Sequence, residues 1–484
     1  MKNYKMSSNG GMLLLLLCIT VTSCQKLDEA PEGISTPENF YSTAGQCEAA
    51  YAGSMNALFS TWNGYQNGVA YPDGQFEDAS LDFSVGSFNE VWTWHYKAIS
   101  NINAVLSAVK DGSLAGNPDD VIANVVGQGR FLRAFNYFTL VRLYGKIPYL
   151  TEDSPDPVTT PLTSDSRLEI AAVYDLIEAD LVYAAENLAD YDAAVPGKPN
   201  KWVAKGFLAK VYLTRATAPL NQTDNYAKAR DMAEDIITNG PYELLPRFED
   251  VFKTSNNRNM EIMFAFTTSS DAPYMPGNVW APSEMDGWSS GPVKILWATT
   301  IYPEQPRKHS YILLDFTSDI YDPSARIINW SESSDGVPYI GKLNMPNLTY
   351  DQQVSGGDAG IEMKLLRFAD ILLIYAEAAN MAGSGPTQLA VDRLNSIIDR
   401  ANEGTGTEPR ATLAMTQAQF DQKVIDERSF ELCFENDRYF DVLRKRLLQE
   451  VNLPDNADGY DENDYLLPIP ALDALSIGQN PGYE

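Results

Sequence analysis

Apolar positions recur at helical spacing through most of the chain. Over 170–188, Ile170, Val173, Tyr174, Ile177, Leu181, Ala184 and Leu188 fall on one face. Over 365–379, Leu365, Phe368, Ala369, Leu372, Tyr375, Ala376 and Ala379 do the same. Bulky residues alternate with alanines there, which lets a neighbouring helix approach closely. Similar stripes predict helices over 38–60, 89–110, 118–144, 202–217, 224–239, 387–401 and 416–449. The stripes come in pairs. Trp202–Ala216 is followed, after Pro219 and Asn221, by an arm opening Tyr226-Ala227-Lys228-Ala229. Met363–Ala382 pairs with Gln388–Ala401, and Thr416–Glu435 with Arg438–Leu448. Small residues at the crossings and aromatics between them make these hairpins tetratricopeptide-like, although the match to that repeat is loose.

Two stretches break the helical period. Residues ~250–360 carry Pro273, Pro276, Pro282, Pro292, Pro303 and Pro306, and they hold Trp280, Trp288, Trp297 and Trp330. That is long for a segment without sustained periodicity, and it reads as a loop-rich, irregular lobe. Residues 61–88 read as a second loop, with Trp62, Tyr65, Tyr71, Phe76 and Phe83 among Asp73, Glu77, Asp78 and Asp82. Long loops on a rigid scaffold are where binding usually resides. The fold class is therefore mostly α, hairpins plus an irregular lobe.

The first residues set the compartment. Lys2 and Lys5 precede the short apolar run Leu13–Leu17, Cys18, Ile19, and small residues lead up to Cys24. A basic start, a short apolar core and small residues at the end read as a secretory signal over 1–23. The run is too short to span a bilayer, which takes ~20 apolar residues. A cysteine at the expected cut fits a lipobox, so Cys24 is the expected lipidation site, with residues 24–36 as a polar tether. The later apolar run Ile371–Ala376 stops at Glu377.

Charge narrows the partners. The formal net charge is −29, and losing Lys2 and Lys5 with the signal makes the remainder more acidic. Such a chain repels nucleic acid and anionic lipid, and suits a neutral or cationic ligand. With 26 Tyr, 19 Phe and 8 Trp, most of it is expected to fold. Of four cysteines, Cys18 leaves and Cys24 carries lipid. Cys47 and Cys433 read as small buried residues, although an exported compartment permits a disulfide. His95 and His309 are the only histidines, no zinc-ligand spacing or HExxH occurs, and no GxSxG elbow or phosphate-cradling loop is present. His95, within Trp92-Thr93-Trp94-His95-Tyr96, reads as a packed histidine. The acids Asp73, Glu77, Asp78 and Asp82 could hold calcium but lack a calcium-loop pattern, so no cofactor or metal is expected.

Several phrases together resemble one family. Arg130-Phe131-Leu132-Arg133-Ala134-Phe135-Asn136-Tyr137-Phe138 runs into Leu143-Tyr144-Gly145-Lys146-Ile147-Pro148-Tyr149. Arg367-Phe368-Ala369-Asp370 continues through Leu372 to Tyr375-Ala376-Glu377-Ala378-Ala379-Asn380. Glu427-Arg428 precedes Glu431-Leu432, Phe434-Glu435, Arg438 and Asp441. Leu466-Leu467-Pro468-Ile469-Pro470 and Gln479-Asn480-Pro481-Gly482-Tyr483 close the chain. In this order they resemble the SusD-like (RagB/SusD) outer-membrane lipoproteins of Bacteroidetes. Phe368, where the family often has Tyr, and Lys445, where a Trp is common, are minor departures.

The resemblance implies one SusD-like domain over 37–484. Its scaffold would cover 37–250 and 361–450, its lobe about 250–360 and its C-terminal segment 451–484. It also implies a nutrient-capturing surface protein, most often for glycans, acting as a lid over a SusC-like TonB-dependent transporter. Physically, Glu427, Glu431, Glu435 and Arg438 form one stripe, and Arg428 can reach a neighbouring arm. A charge network clamping hairpins is the expected role, and Arg130 and Arg133 read as further clamps.

The ligand residues lie outside the family phrases. A sugar offers C–H groups on one face, which a flat aromatic covers, and hydroxyls at its rim, which polar neighbours bind. Trp280 beside Asn278, Trp288 beside Asp286 and Tyr274 near Asp271 fit from the lobe. Tyr71 with Asp73, and Tyr65 with Asn63 and Gln66, fit from the other loop. Trp92, Trp94, Tyr96 and Trp202 read as core. The leading expectation is a non-enzymatic oligosaccharide-binding lipoprotein. Peptide capture, a surface glycoside hydrolase and a purely structural partner of the transporter are the alternatives.

Overall fold

The computed structural model describes residues 40–68, 75, 87–155, 157–192, 198–266, 281–289, 292–319, 321–322, 324–342, 362–435, 437–452 and 460–483. The signal, Cys24 and the tether lie outside them, as do Tyr71, Asp73, Tyr274 and Trp280. Residues Tyr41–Glu484 form one compact unit.

Long helices dominate: α1 (Ala44–Gly68), α2 (Ser87–Lys110), α3 (Asp119–Tyr144), α4 (Ile170–Asn187), α5 (Lys201–Arg215), α6 (Asn225–Asn239), α7 (Phe368–Ala382), α8 (Gln388–Asn402), α9 (Gln417–Glu431) and α10 (Arg438–Lys445). Consecutive helices pack on one another from α1 to α6, and α7 packs across α5 and α6 as well as on α8 and α9. The fold is mostly α, with hairpins where the periodicity placed them. Caps set several starts. Asn200 accepts the amides of Trp202 and Val203 at 2.9 and 3.1 Å, and Thr416 and Gln419 form a reciprocal capping box.

Among the described residues, four two-stranded antiparallel ladders interrupt the helices. β1 (Ile147–Pro148) pairs with β2 (Arg167–Leu168), and β3 (Ile262–Phe266) with β8 (Met363–Arg367). Within the lobe β4 (Ile312–Leu313) pairs with β7 (Tyr339–Ile340), and β5 (Asp315–Thr317) with β6 (Ile327–Asn329).

Two expectations change and a third is trimmed. Residues Met363–Arg367 are strand, not helix; all five are buried, so neither period shows, and pairing with β3 decides. Within the 416–449 stripe the two expected arms are present with shorter bounds, Gln417–Glu431 and Arg438–Lys445. Residues 61–68, including Trp62 and Tyr65, are the last turns of α1 rather than loop. No proline interrupts that run, and it stops at Gly68, short of Pro72.

The core joins both halves. Phe131 and Phe135 of α3, Phe207 of α5 and Phe264 of β3 meet edge to face, with centroids 5.3–6.2 Å apart. His95 is fully buried with its Nδ1 2.8 Å from Asn136 Oδ1, and burial lowers it to about 3, so it stays neutral. Cys47 and Cys433 are both free and buried. Arg133 clamps α3 to α4 through a bidentate pair with Asp180 at 2.7 and 2.9 Å. Asn480 ties the C-terminal segment to the end of α3, donating to the Tyr144 and Leu467 carbonyls at 3.0 and 2.7 Å.

The acidic stripe of α9 is a buried clamp. Glu431 receives Arg307 at 2.7 Å, Arg367 at 3.1 Å and Arg400 at 2.9 Å. Arg367 also reaches Glu261 and Glu435, each at 2.6 Å. On the next turn Arg428 bridges Asp370 and Asp441 at 2.7 and 2.8 Å. Burial alone would raise the Glu431 carboxyl; Arg400, Arg367 and Arg307 outweigh it and hold it well below the usual range. Glu427 goes the other way. Burial raises it more than Arg307 lowers it, and hydrogen-bonded Glu408 adds to the rise, to about 8.

A carboxyl raised by folding contributes stability below its unfolded pKa of ~4.3 and loses it as pH rises toward 8. Between those values Glu427 should subtract up to ~1.4 kcal/mol per pH unit. Glu427→Gln removes this slope. Urea unfolding at pH 5 to 8 should show the wild type losing stability relative to the variant; parallel curves would refute a protonated Glu427. Trp202 is buried and donates Nε1–H to Asp190 at 2.7 Å. Trp202→Ala should cost ~3–5 kcal/mol in the same assay. An unaltered unfolding midpoint would contradict its place in the core.

Candidate functional site

The lobe presents one tight loop to solvent, residues 281–289. Ser283–Met285 form a 3₁₀ turn with Met285 buried beneath it. Asp286 and Ser289 take left-handed backbone conformations, with φ of 57° and 53°. The Gly287 amide returns to the Pro282 carbonyl and the Ser289 amide to Ala281, both at 3.0 Å. A Cβ on Gly287 would lie 1.9 Å from the Ala281 oxygen, so only glycine closes this turn. The closed turn pushes Trp288 outward, and it is 66% exposed. Burying an indole releases much apolar area from water, so an exposed one is informative.

A second element meets this loop. The connection between β5 and β6 carries Tyr321, 53% exposed, and β6 begins with Ile327, 65% exposed. The Tyr321 hydroxyl donates to Asp286, two residues before Trp288. Its amide is held by Asp319 at 2.8 Å. Ser289 Oγ donates to Asp335 at 2.8 Å, and the Ser334 amide to Glu284 at 2.7 Å. An indole, a phenol and an apolar side chain thus stand on one lobe, with carboxylates around them.

The sequence-derived candidates divide. Trp288 and Asp286 share the 281–289 loop, and both are exposed. Trp297 is core, edge-on to Tyr302 and Phe434 at 5.1 and 5.8 Å. Trp330 is partly buried against the core. Tyr65 stands on α1, not on a loop. Trp280, Tyr274, Tyr71 and Asp73 lie outside the described residues, as do Glu77, Asp78 and Asp82. Tyr321 was not among the candidates; an aromatic beside the Asp322-Pro323-Ser324 turn signal marks it.

Other sites fit a ligand less well. A cavity of about 220 Å³ between Val141, Ile170, Tyr174, Phe440 and Tyr465 is smaller than ordinary ligand pockets. The paired carboxylates Glu408 and Glu427 are sealed from solvent, where no glycosidic bond can reach them. Among the described residues no group of acids, histidines or cysteines is arranged to hold a metal ion. No described helix is long and apolar enough to cross a membrane.

Residues 296–470 match the model of the SusD family, and residues 18–213 match a model described as starch-binding associating with outer membrane. The chain belongs to the SusD-like family. Its full length aligns at 28% identity with the full length of SusD-like protein P2 of Formosa agariphila. A SusD homolog from Bacteroides thetaiotaomicron superposes with a TM-score of 0.74 at 19% identity, covering 92% of this chain and 98% of that one. Surface glycan-binding protein A of the same organism gives 0.69 at 17% identity, covering 91% and 100%. At such identities these structures establish the fold. The family is one of binding proteins associated with the outer membrane.

An exposed side chain contributes little to folding. Trp288→Ala in this SusD-like protein should change unfolding free energy by no more than ~0.5 kcal/mol. A drop of several kcal/mol in chemical denaturation would place Trp288 in the core instead.

Proposed function

We propose that this protein captures oligosaccharides at the cell surface and delivers them to a SusC-like TonB-dependent transporter, without cleaving them. The observation that carries this is the pairing of exposed Trp288 with Tyr321 and Asp286 on one lobe. The indole covers the C–H face of a pyranose, and the carboxylates accept hydroxyls from its rim. The match to a family described as starch-binding supports a glycan, and so does likeness to a surface glycan-binding protein. Lipidation at Cys24 and the tether over 24–36 would hold the protein on the outer membrane, facing outward. The sealing of Glu408 and Glu427 supports a role without hydrolysis.

A glycan array, followed by calorimetry on each hit, tests this. Binding to at least one oligosaccharide family is expected, without release of reducing ends. Trp288→Ala should weaken it at least about tenfold, the scale of a central aromatic contact. Binding only to peptides, or glycan binding indifferent to Trp288, would overturn the assignment.

A further inference from the structure

The loop 281–289 and the stretch 315–335 carry Glu284, Asp286, Asp315, Asp319, Asp322, Glu332 and Asp335. Glu284 is partly exposed and the other six are exposed. The described bases on these segments reduce to Arg326, which donates to Glu332 at 2.8 Å. The surface around Trp288 and Tyr321 is therefore strongly negative on its own account, beyond the acidity of the whole chain.

The hydrogen-bond inventory points the same way. Ser289 Oγ already donates to Asp335, Ser324 Oγ to Asp322 at 2.7 Å, and Asn329 Nδ2 to Asp315 at 3.0 Å. The Tyr321 hydroxyl donates to Asp286 and the Tyr339 hydroxyl to Asp335. These donors are engaged by the lobe's own carboxylates. Ionised carboxylates only accept, and each has room for several donors. The Ser324 hydroxyl and amide hold exposed Asp322 below the usual range, so it is fully charged at neutral pH. What the surface has in excess is acceptors.

A ligand must supply what is missing, namely donors. Resting on the glycan reading above, we infer that this platform selects neutral or amino-sugar glycans and rejects those bearing carboxylates or sulfates. Hydroxyls and ammonium groups donate to the carboxylate rim. A uronate or sulfate ester brings further acceptors and negative charge, and Arg326, the described base on these two segments, already pairs with Glu332. Like charges placed together discriminate between ligands that share a ring shape, and salt screens that discrimination.

Matched pairs test this on the purified full chain: neutral galacto- and manno-oligosaccharides, their uronic-acid counterparts, and sulfated forms. Each is titrated at low and high ionic strength, with wild type, Trp288→Ala, and the double variant Asp322→Asn with Glu332→Gln. The double variant leaves Trp288, Tyr321 and Asp286 untouched. Neutral glycans should bind through Trp288 with little salt dependence. Anionic counterparts should bind at least about tenfold more weakly at low salt, and the gap should narrow at high salt. The double variant should narrow it about threefold by strengthening the anionic arm, with any loss of neutral binding smaller than that gain. Anionic glycans that bind through Trp288 as tightly as neutral ones would overturn the selection and leave the platform standing. Glycans bound without regard to Trp288 would overturn the platform itself.

Discussion

Glu431 is the point on which the two halves of the molecule meet. Its carboxylate joins Arg307 of the lobe, Arg367 at the end of β8 and Arg400 of α8. All four side chains are almost wholly buried. Taking such charges out of water is expensive, and their attraction offsets this only with close geometry and every lone pair engaged. Much of that is supplied by Glu261, Glu427 and Glu435, which share the same guanidiniums, while Arg307 Nε and Arg400 Nε stay without an acceptor. The consequence is geometric as much as energetic. Strand β8, helix α8, helix α9 and the 306–311 helix can satisfy the charges in one arrangement, and a slip of any one would strand a buried ion.

That constraint reaches the surface in a few steps. Arg307 lies on the short helix that leads directly into β4. β4 pairs with β7, and β5, which follows two residues after β4, pairs with β6. Their connection carries Tyr321. The Tyr302 hydroxyl donates to the Phe430 carbonyl at 3.1 Å, and Lys342 donates to the Glu431 carbonyl at 2.6 Å, so both ends of this lobe segment return to α9. A rigid base matters for a platform of few contacts, because a ring that must first be ordered loses affinity to entropy.

Most helices were legible because their apolar faces repeat at 3.6 residues. The acidic stripe was legible as a clamp, since Glu427 and Glu431 on one face of α9 need partners. Its partners were not. Glu261 and Arg367 are separated by about a hundred residues, and no local pattern links them. Strand β8 was hidden because burial on both faces erases the alternation that marks a strand. Trp288 was found by its neighbour Asp286. Tyr321 was missed because its meaning depends on a contact with Asp286, 35 residues away. Trp297 lies in the same irregular stretch as Trp288, and its packing against Phe434 marks it as a core indole.

An open platform also suits transfer rather than storage. On the proposed function Trp288 would cover one face of a ring and leave the other to solvent, so each ring would bury less than in a closed pocket. Affinity for a single sugar is then modest and its departure fast, since affinity differences between related complexes lie mainly in the rate of leaving. A polymer meeting several such copies would be retained by repeated contact, because a second attachment is governed by local concentration. A short fragment has no such help and leaves. On the proposed function the same shallow surface would hold long chains and release short ones, which is what delivery to a transporter would require.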